Sequence, residues 1–298
     1  MKNIIRYITL SFVMMAALNS CEERYVTYNG AEYVMFADTL AVYPIMEHEQ
    51  TFTIPVVSTV TRNYDRTFGV EVIDAKSNAI ERKHYTIESN TVTIKAGQRR
   101  ADVVVHGHFD SFEAEDSLGF TLALVMNDAL ELPLYGKQTK AVFMKTGKFD
   151  IEKFTGYCVL SSMFLNDYNP YGGYNRLVYT EKHPTLKNTV ICRDWLKDGY
   201  DVEMTFDDSN PLMPVVTMAK NQVAADQGGF FGTVYGEWGD KLLVTSSNLA
   251  QSIFYPLGGY LYLWAEFSVE EFGVVGHFYN VMQWVSDEEA ERIKREGF

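Results

Sequence analysis

Two histidines and one aspartate alternate in the segment His106-Gly107-His108-Phe109-Asp110. Every second residue of a β-strand points to the same face, so on a strand both imidazoles and the carboxylate project together. Two imidazoles at this spacing can bind a transition metal, but they define no coordination geometry, and the other ligands have to come from elsewhere. The alternative is the polar, solvent-facing side of an amphipathic strand, and we predict no metal site.

Carboxylates continue beyond this strand at Asp110, Glu113, Glu115 and Asp116. Carboxylates crowded in a turn can bind Ca²⁺ where backbone carbonyl groups complete the coordination shell. The spacing D-x-x-E-x-E-D is not that of an EF-hand loop, and a solvated hairpin loop explains the same residues. We therefore predict no cofactor.

The chain has no H-E-x-x-H, G-x-S-x-G, G-x-x-x-x-G-K-[ST] or C-x-x-C motif. These motifs are typical of metalloproteases, serine hydrolases, P-loop nucleotide-binding proteins and thiol redox proteins. A pair of carboxylates for glycoside hydrolysis cannot be identified from spacing among 39 acidic residues. The sequence predicts a protein that is not an enzyme.

Three tyrosines, Tyr168, Tyr171 and Tyr174, recur at every third residue in a segment rich in Asn and Gly. Tyrosine provides flat amphipathic surface with few rotatable bonds, and Asn and Asp provide adaptable hydrogen bonds, a mixture suited to sugars or peptides. We predict an exposed ligand-binding loop that Trp195 and Trp238 extend. The alternative is that the tyrosines pack back on the rim of the fold.

Acidic residues outnumber basic residues by 39 to 26, which gives a formal net charge of −13. This charge excludes nucleic acid as an expected partner. It also repels an anionic membrane surface, so membrane association has to come from a lipid.

The segment Leu18-Asn19-Ser20-Cys21 follows an apolar run that begins just after Arg6. A basic start, an apolar run too short to span a bilayer and small residues before a cysteine resemble a bacterial lipoprotein signal. The resemblance implies that Cys21 becomes the first residue, bears a diacylglycerol on its thiol and anchors the protein in outer-membrane lipid. Acidic residues just after Cys21 resemble the surface-export signal of Bacteroidota lipoproteins.

Cys158 and Cys192 are the two other cysteines. In an exported protein they can form a disulfide, but two buried free cysteines inside strands explain the same pattern. The sequence leaves both alternatives open.

Short segments with alternating Val, Ile, Thr, Phe and Tyr, separated by turn residues, are typical of a β-sandwich. They predict strands at 32–37, 39–45, 51–57, 67–73, 91–94, 102–109, 119–126 and 140–145. Residues 84–126, with H-Y-T, T-V-T-I-K-A-G-Q, V-V-V and F-T-L-A-L in order, resemble the second half of a Calx-β domain. The resemblance implies an immunoglobulin-like sandwich. Calcium-binding members end in a run of aspartates, whereas this segment ends in M-K-T-G-K, so it implies no calcium site.

From Phe149 onward the chain is richer in Gly, Tyr and Phe, and all four tryptophans follow this residue. The alternation predicts strands at 154–162, 175–180, 189–192, 200–206, 215–219, 229–235, 241–246, 259–267 and 274–279. These strands suit an antiparallel lipocalin-like β-barrel. Ser286 and Glu289 form a capping box that predicts a short C-terminal helix.

The sequence therefore predicts an all-β chain with an immunoglobulin-like sandwich followed by a lipocalin-like barrel. The predicted parts are a signal peptide at 1–20, a tether at 21–31, the sandwich at 32–147 and the barrel with its helix at 148–298. This arrangement resembles uncharacterised Bacteroidota surface lipoproteins that pair such modules.

We expect a non-enzymatic protein of the outer membrane that faces the cell surface and binds a glycan or peptide for nutrient capture. Two alternatives remain: a module that docks on another envelope protein, and a carrier of a small apolar molecule in the barrel interior. An open aromatic groove would favour glycan binding, a flat apolar patch would favour a protein partner, and a closed apolar cavity would favour a carrier.

Replacing Cys21 by Ala is expected to abolish lipid attachment, because no other residue can supply the thiol at this position. The variant should move from the detergent phase to the aqueous phase on phase separation. Mass spectrometry of the mature N-terminus checks the site, and an unmodified start at another residue would contradict the prediction.

Overall fold

The computed structural model describes residues 30–113, 116–125, 136–170, 172–235 and 238–298. The predictions for Cys21, Glu115 and Tyr171 lie outside the described residues, as does the signal segment. Short 3₁₀ helices occur at Asp74–Lys76, Phe109–Ser111 and Ile151–Phe154.

The first half is a β-sandwich, as predicted. Its strands are β1 (Val34–Phe36), β2 (Leu40–Ile45), β3 (Thr51–Ser58), β4 (Arg66–Val72), β5 (Tyr85–Ile87), β6 (Thr91–Ile94), β7 (Arg100–Gly107), β8 (Gly119–Val125) and β9 (Gln138–Lys145). One sheet has the order β1-β3-β7-β5 and the other β2-β9-β8-β4-β6. All strand pairs are antiparallel except β2 and β9, which are parallel.

Aromatic side chains from both sheets fill the sandwich core. The rings of Tyr85 and Phe120 stack with centroids 4.1 Å apart, and Phe143 packs against both. On β7, Val103 and Val105 are buried in this core, while Val104 between them and His106 after them lie on the outer face, as the alternation predicts.

The second half contains ten strands and three α-helices within the described residues. The strands are β10 (Gly156–Ser162), β11 (Asn175–Lys182), β12 (Thr189–Arg193), β13 (Val202–Asp207), β14 (Val215–Met218), β15 (Gln222–Asp226), β16 (Lys241–Ser246), β17 (Ile253–Tyr255), β18 (Tyr260–Val269) and β19 (Gly273–Trp284). The helices are α1 (Met163–Tyr168), α2 (Gly228–Phe231) and α3 (Asp287–Glu296).

Eight of these strands close an antiparallel barrel in the order β10-β11-β12-β13-β14-β17-β18-β19, because β19 pairs with both β18 and β10. The hairpin β15–β16 continues the wall of the barrel: β16 pairs with the second half of β18 on the same edge as β17, and Leu242 and Val244 are buried in the barrel core. The predicted barrel is therefore confirmed, and the predicted C-terminal helix is present with the Ser286 hydroxyl accepting from the Glu289 amide at 3.2 Å.

The strand predicted at 229–235 is wrong, because α2 and turns occupy these residues. The Asp226 carboxylate accepts the Gly229 amide at 2.7 Å and starts a helical turn. Phe230 and Phe231 are neighbours in sequence and both pack against the barrel core, which a strand would not permit.

Apolar side chains fill the barrel interior. The inward residues are nearly all fully buried: Cys158, Leu160, Val178, Val190, Cys192, Val202, Met204, Phe206, Val216, Phe254, Leu261, Leu263 and Met282. Eight strands enclose a space that side chains alone can fill. This packing argues against the hypothesis of a small-molecule carrier, which needs an empty interior.

The two buried cysteines are free. Cys158 pairs with Val178, Cys192 pairs with Thr180, and β11 lies between them. Two strand spacings of about 4.8 Å exceed the distance that a disulfide can span. Burial raises the pKa of both thiols, so they remain protonated.

The sandwich meets the barrel at one of its ends. The Thr146 hydroxyl, just after β9, donates to the Pro211 carbonyl at 3.4 Å, and Gly147 packs on Leu257. We call this the sandwich end; the opposite end, formed by α1, loop 194–201 and α2, is the open end. A boundary at residue 147 between two independently folding units stays a prediction.

The first described residues lie at the other end of the sandwich from the barrel. The Phe36 amide donates to the Gly136 carbonyl, and β2 then runs parallel to β9 toward the barrel. In the described ranges, no helix is both long and apolar enough to cross a membrane.

Glu32 joins the start of the sandwich to two arginines. Arg66 donates to Glu32 at 2.6 Å, to the Ser58 hydroxyl at 2.8 Å and to the Gln98 carbonyl at 3.1 Å. The Arg66 side chain is 6% exposed and that of Arg62 is 45% exposed. Burial raises the pKa of Glu32, but hydrogen bonds from Arg62 and Arg66 outweigh burial and hold it below its ordinary value.

We expect Arg66→Ala to lower the free energy of unfolding by about 3 kcal/mol, because it leaves a desolvated carboxylate without its buried partner. Arg62→Ala, the control at the same carboxylate, should cost less than about 1 kcal/mol, since that pair is exposed. Because the Glu32 pKa is lowered by folding, this stabilisation is present above the ordinary carboxyl pKa and is lost as pH falls through the lowered value. Urea unfolding at neutral and acidic pH measures both effects, and equal losses in the two variants would refute this account.

Candidate functional site

Five aromatic side chains form a continuous row on the outside of the barrel. The aromatic row consists of Tyr255 on β17, Tyr260, Tyr262 and Trp264 on β18, and Tyr279 on β19. On β18 these rings alternate with aliphatic residues that are buried in the barrel core. Because side chains alternate between faces along a strand, burial of one set places all the rings of β18 on the outer face.

Strand register sets the order of the rings. Tyr255 lies opposite Tyr260, and Trp264 lies opposite Tyr279. Ring centroids are 4.5 Å apart for Tyr255 and Tyr260, 5.7 Å for Tyr260 and Tyr262, 5.5 Å for Tyr262 and Tyr279, and 5.3 Å for Tyr279 and Trp264. Each ring therefore supports the next, and all are half-buried.

A cavity of about 470 Å³ lies at the sandwich end of this row, between the end of β9 and the barrel. Its lining is mostly apolar: Met144, Lys145, Thr146, Leu212, Met213, Pro214, Ile253, Phe254, Tyr255, Pro256, Leu257, Gly258 and Tyr260. Tyr255 and Tyr260 belong to both the row and the cavity wall. A Cβ atom at Gly258 would collide with the Tyr260 ring, so glycine there allows the ring to lie against the backbone.

Polar groups stand at both ends of the site. At the cavity, the Lys145 ammonium donates to the Phe112 carbonyl at 2.8 Å and lies 4.3 Å from the centre of the Phe109 ring. At the far end of the row, His277 Nδ1 is 2.8 Å from the Ser247 hydroxyl, and its Nε2 is 3.8 Å from Glu266.

The phenol groups of Tyr279 and Tyr255 are neutral at physiological pH. Burial, together with the nearby Tyr262 and Tyr255, raises the pKa of Tyr279 to about 12. Burial and then Tyr262 also raise the pKa of Tyr255. These hydroxyls can therefore donate and accept hydrogen bonds but provide no charged nucleophile or base.

The predicted tyrosine loop is partly helix. Ser162 caps α1, accepting from the Leu165 amide at 3.4 Å, and Tyr168 ends this helix. The Tyr168 ring packs on the rings of Phe164 and Phe231 at 5.2 and 5.1 Å, whereas Tyr174 is exposed. Of the predicted platform, Tyr168 faces the barrel core and Tyr174 faces solvent, so these two do not form one surface.

The two predicted tryptophans differ in the same way. Trp195 is fully buried and lies parallel to Phe267, with centroids 5.9 Å apart. Its prediction as a ligand-binding residue is wrong, because a ligand arriving from solvent cannot reach the indole. Trp238 is half exposed and lies beside Phe272 at the open end, far along the barrel from the cavity at the sandwich end.

His106 on β7 and His108 just after this strand both form hydrogen bonds within the sandwich. His106 Nδ1 is 2.8 Å from the Thr51 hydroxyl, and His108 Nδ1 donates to the Lys83 carbonyl at 2.9 Å. In the acidic loop, the Asp116 carboxylate accepts the Glu113 amide at 2.8 Å. Among the residues that the structure describes, no three His, Cys, Asp or Glu side chains are close enough to hold a metal ion.

The aromatic row was missed in the sequence, although a signal for it is present. The run Tyr260-Leu261-Tyr262-Leu263-Trp264 alternates aromatic and aliphatic residues on a predicted strand. Since the aliphatic residues suit the barrel core, the rings have to lie outside, where large apolar side chains are unusual enough to indicate a binding surface. The contributions of Tyr255 and Tyr279 depend on strand register, which the pattern does not contain.

Comparison with known protein families matches residues 134–296 to the family described as "Domain of unknown function (DUF4984)". This match covers more than half of the chain and includes the barrel, the aromatic row and the cavity. The chain belongs to this family. No curated protein sequence matches it.

The solved structures with a similar course of the chain have low sequence identity to this protein. The apo form of the Calx CBD1 domain is 13% identical with a TM-score of 0.32, covering 39% of this chain and 98% of that one. A Bacteroides ovatus protein of unknown function is 11% identical with a TM-score of 0.34, covering 84% and 89%. A "putative carbohydrate binding protein" of Bacteroides ovatus is 12% identical with a TM-score of 0.30, covering 71% and 78%.

We expect Tyr168→Ala to lower the free energy of unfolding by about 2 kcal/mol, because it removes a ring packed on two others. Tyr174→Ala, in the same segment, should change it by less than about 0.5 kcal/mol, since its ring is exposed. Urea unfolding compares the two variants. A neutral Tyr168→Ala would instead support the exposed loop predicted from the sequence.

Proposed function

We propose that the protein binds an extracellular glycan along the aromatic row and in the adjoining cavity, without carrying out chemistry on it. The observation that supports this proposal is the continuity of five mutually packed rings with a cavity of about 470 Å³. The row is long enough for an oligosaccharide rather than a single sugar.

The chemistry of the row suits a sugar chain. Sugar rings present apolar C–H faces beside hydroxyl groups, and tyrosine offers an apolar ring beside a neutral hydroxyl. Such contacts need no charge, so they tolerate the net charge of −13. Because the rings pack on one another, binding does not carry the entropic cost of ordering long, flexible protein side chains.

Binding without catalysis is proposed from the distribution of carboxylates. The described lining of the cavity contains no carboxylate, and Glu266, beyond Trp264 on β18, is engaged with His277. Glycoside hydrolysis generally needs two carboxyl groups on either side of the scissile bond. The row therefore favours capture over cleavage.

Attachment to the outer membrane through an acylated Cys21 is part of this proposal. The first described residues lie at the end of the sandwich that is remote from the barrel. A lipid at this end would leave the sandwich as a spacer and hold the aromatic row away from the membrane surface, accessible to extracellular glycans.

One observation favours the alternative of docking on another envelope protein. At the open end, Val234, Trp238, Phe272 and Val274 are all exposed apolar residues. The rings of Trp238 and Phe272 are 6.1 Å apart, and exposed apolar residues that cluster are typical of a protein interface. This cluster lies at the opposite end from the cavity, so binding of a partner there and of a glycan at the row are separable.

The test is a glycan array probed with the soluble chain beginning at Glu22, followed by calorimetric titration of each oligosaccharide that binds. Replacing Tyr260 or Trp264 by Ala should each weaken binding about fivefold, because a productive ring contact contributes about 1 kcal/mol. Tyr179→Ala is the matched control, since Tyr179 is an exposed outward ring on β11 outside the row.

Three results would contradict the proposal. They are the absence of binding to every glycan, equal losses in the row and control variants, and binding of peptides alone. A thermal melt of each variant shows whether a loss of affinity arises from unfolding.

A further inference from the structure

A second cavity, of about 360 Å³, lies at the open end of the barrel. The segment rich in Tyr and Asn that the sequence singled out does line this cavity, but through Asn169, Pro170 and Asn175 instead of its tyrosines. Two cationic residues, Arg176 and Lys197, complete its polar side. None of these residues belongs to the aromatic row or lines the cavity beside it.

Arg176 occupies an unusual position for an arginine. It pairs with Leu160, whose side chain lies in the barrel core, so Arg176 starts from the inward face of β11. Its Nε donates to the Asp194 carbonyl at 2.8 Å, and its Nη2 forms an ion pair with Asp198. The guanidinium is thereby held at the mouth of the barrel, against the cavity.

The two ion pairs of the cavity differ in how firmly they are held. The Asp198 side chain is 91% exposed and the Arg176 side chain 29% exposed, so Asp198 approaches the guanidinium from solvent. An ion pair with a fully solvated partner contributes little and is readily exchanged. Asp226, which pairs with Lys197, also accepts the Gly229 amide and is fixed at the start of α2.

The remaining wall suits a small hydroxylated ligand. Leu165, Leu196 and Phe230 provide an apolar side. Asn169 and Asn175 place amide groups opposite them, and Asn175 Oδ1 accepts from the Ser161 hydroxyl at 2.7 Å. Amides and a guanidinium beside an aromatic ring can hydrogen-bond sugar hydroxyls while one sugar face rests on apolar surface.

We propose that this cavity binds a single carboxylate-bearing sugar residue, a hexuronic acid, whose carboxylate replaces Asp198 on the guanidinium of Arg176. The planar fork of arginine matches a carboxylate in two parallel hydrogen bonds. Lys197 stays paired with Asp226, so the cavity offers one uncompensated positive charge once Asp198 moves into solvent. One charge matches a monocarboxylate better than a dianionic phosphate. This inference concerns a different end of the barrel and does not depend on the glycan-binding row.

The test titrates purified protein with glucuronate and galacturonate and uses glucose and galactose as neutral probes. Ligand-observed NMR measures binding in each titration. We expect saturable uronate binding with a Kd on the order of 1 mM, and binding at least about tenfold weaker for the neutral sugars. Arg176→Ala should weaken uronate binding at least about tenfold, and Arg176→Lys less, because lysine keeps the charge but loses the fork. Raising the salt concentration should weaken binding in the wild type.

Asp198→Asn is the sharpest variant, because it removes the competing carboxylate and should tighten uronate binding about twofold to fivefold. Arg193→Ala is the matched control: Arg193 also pairs with two carboxylates, Glu181 and Asp201, but does not line the cavity. It should leave uronate affinity unchanged, as should Tyr260→Ala in the aromatic row.

Equal affinity for neutral sugars, no uronate binding at all, or weaker binding in Asp198→Asn would each overturn the inference. Arg176→Lys keeps the positive charge and Asp198→Asn keeps the size of the side chain, so both remain informative if Arg176→Ala fails to fold. Loss of uronate binding in Tyr260→Ala would assign the uronate to the row and refute the second site.

Discussion

The pairing of β19 with both β10 and β18 is the interaction on which the rest of the second half depends. It closes the barrel and thereby decides which face of every strand is inside. With Leu261 and Leu263 committed to the interior, Tyr260, Tyr262 and Trp264 have no position except the outer face. The same closure creates two barrel ends, one covered by the sandwich and one capped by short helices and loops. Both candidate sites are consequences of this ring of hydrogen bonds.

The elements that alternate strictly could be predicted from the sequence. The strand at 91–94, β16 and the buried side of β7 agree with the structure because one face of each is packed on a core. The segment 229–235 could not be predicted, because the Asp226 carboxylate starts a helical turn that hydrophobic periodicity does not reveal. The burial of Trp195 could not be predicted either. It depends on which elements cover the end of the barrel, and the sequence around a loop residue does not indicate which elements pack over it.

The two candidate sites differ in their chemistry: the row is aromatic, and the cavity at the open end is lined in part by cationic residues. The row offers aromatic faces, and burial keeps the hydroxyls of Tyr255 and Tyr279 protonated near neutral pH. The cavity at the open end contains arginine and lysine already matched with carboxylates. An acidic protein can keep cationic groups available only if their partners can leave, and the solvated Asp198 side chain meets that requirement better than Asp226. Strand β11 contributes Arg176 to this cavity, while β18 provides most of the row.

Closure of the barrel also constrains how the chain can fold. Strand β10 begins the barrel at Gly156, yet its partner β19 ends at Trp284, near the end of the chain. Contacts between segments so distant in sequence form late and slowly, because a long loop has to close first. During synthesis the N-terminal part of the chain emerges first, so the sandwich has all its strands long before β10 meets its partner. The barrel therefore closes only after β19 has been made, and loss of this strand leaves edges of β10 and β18 unpaired and prone to aggregation.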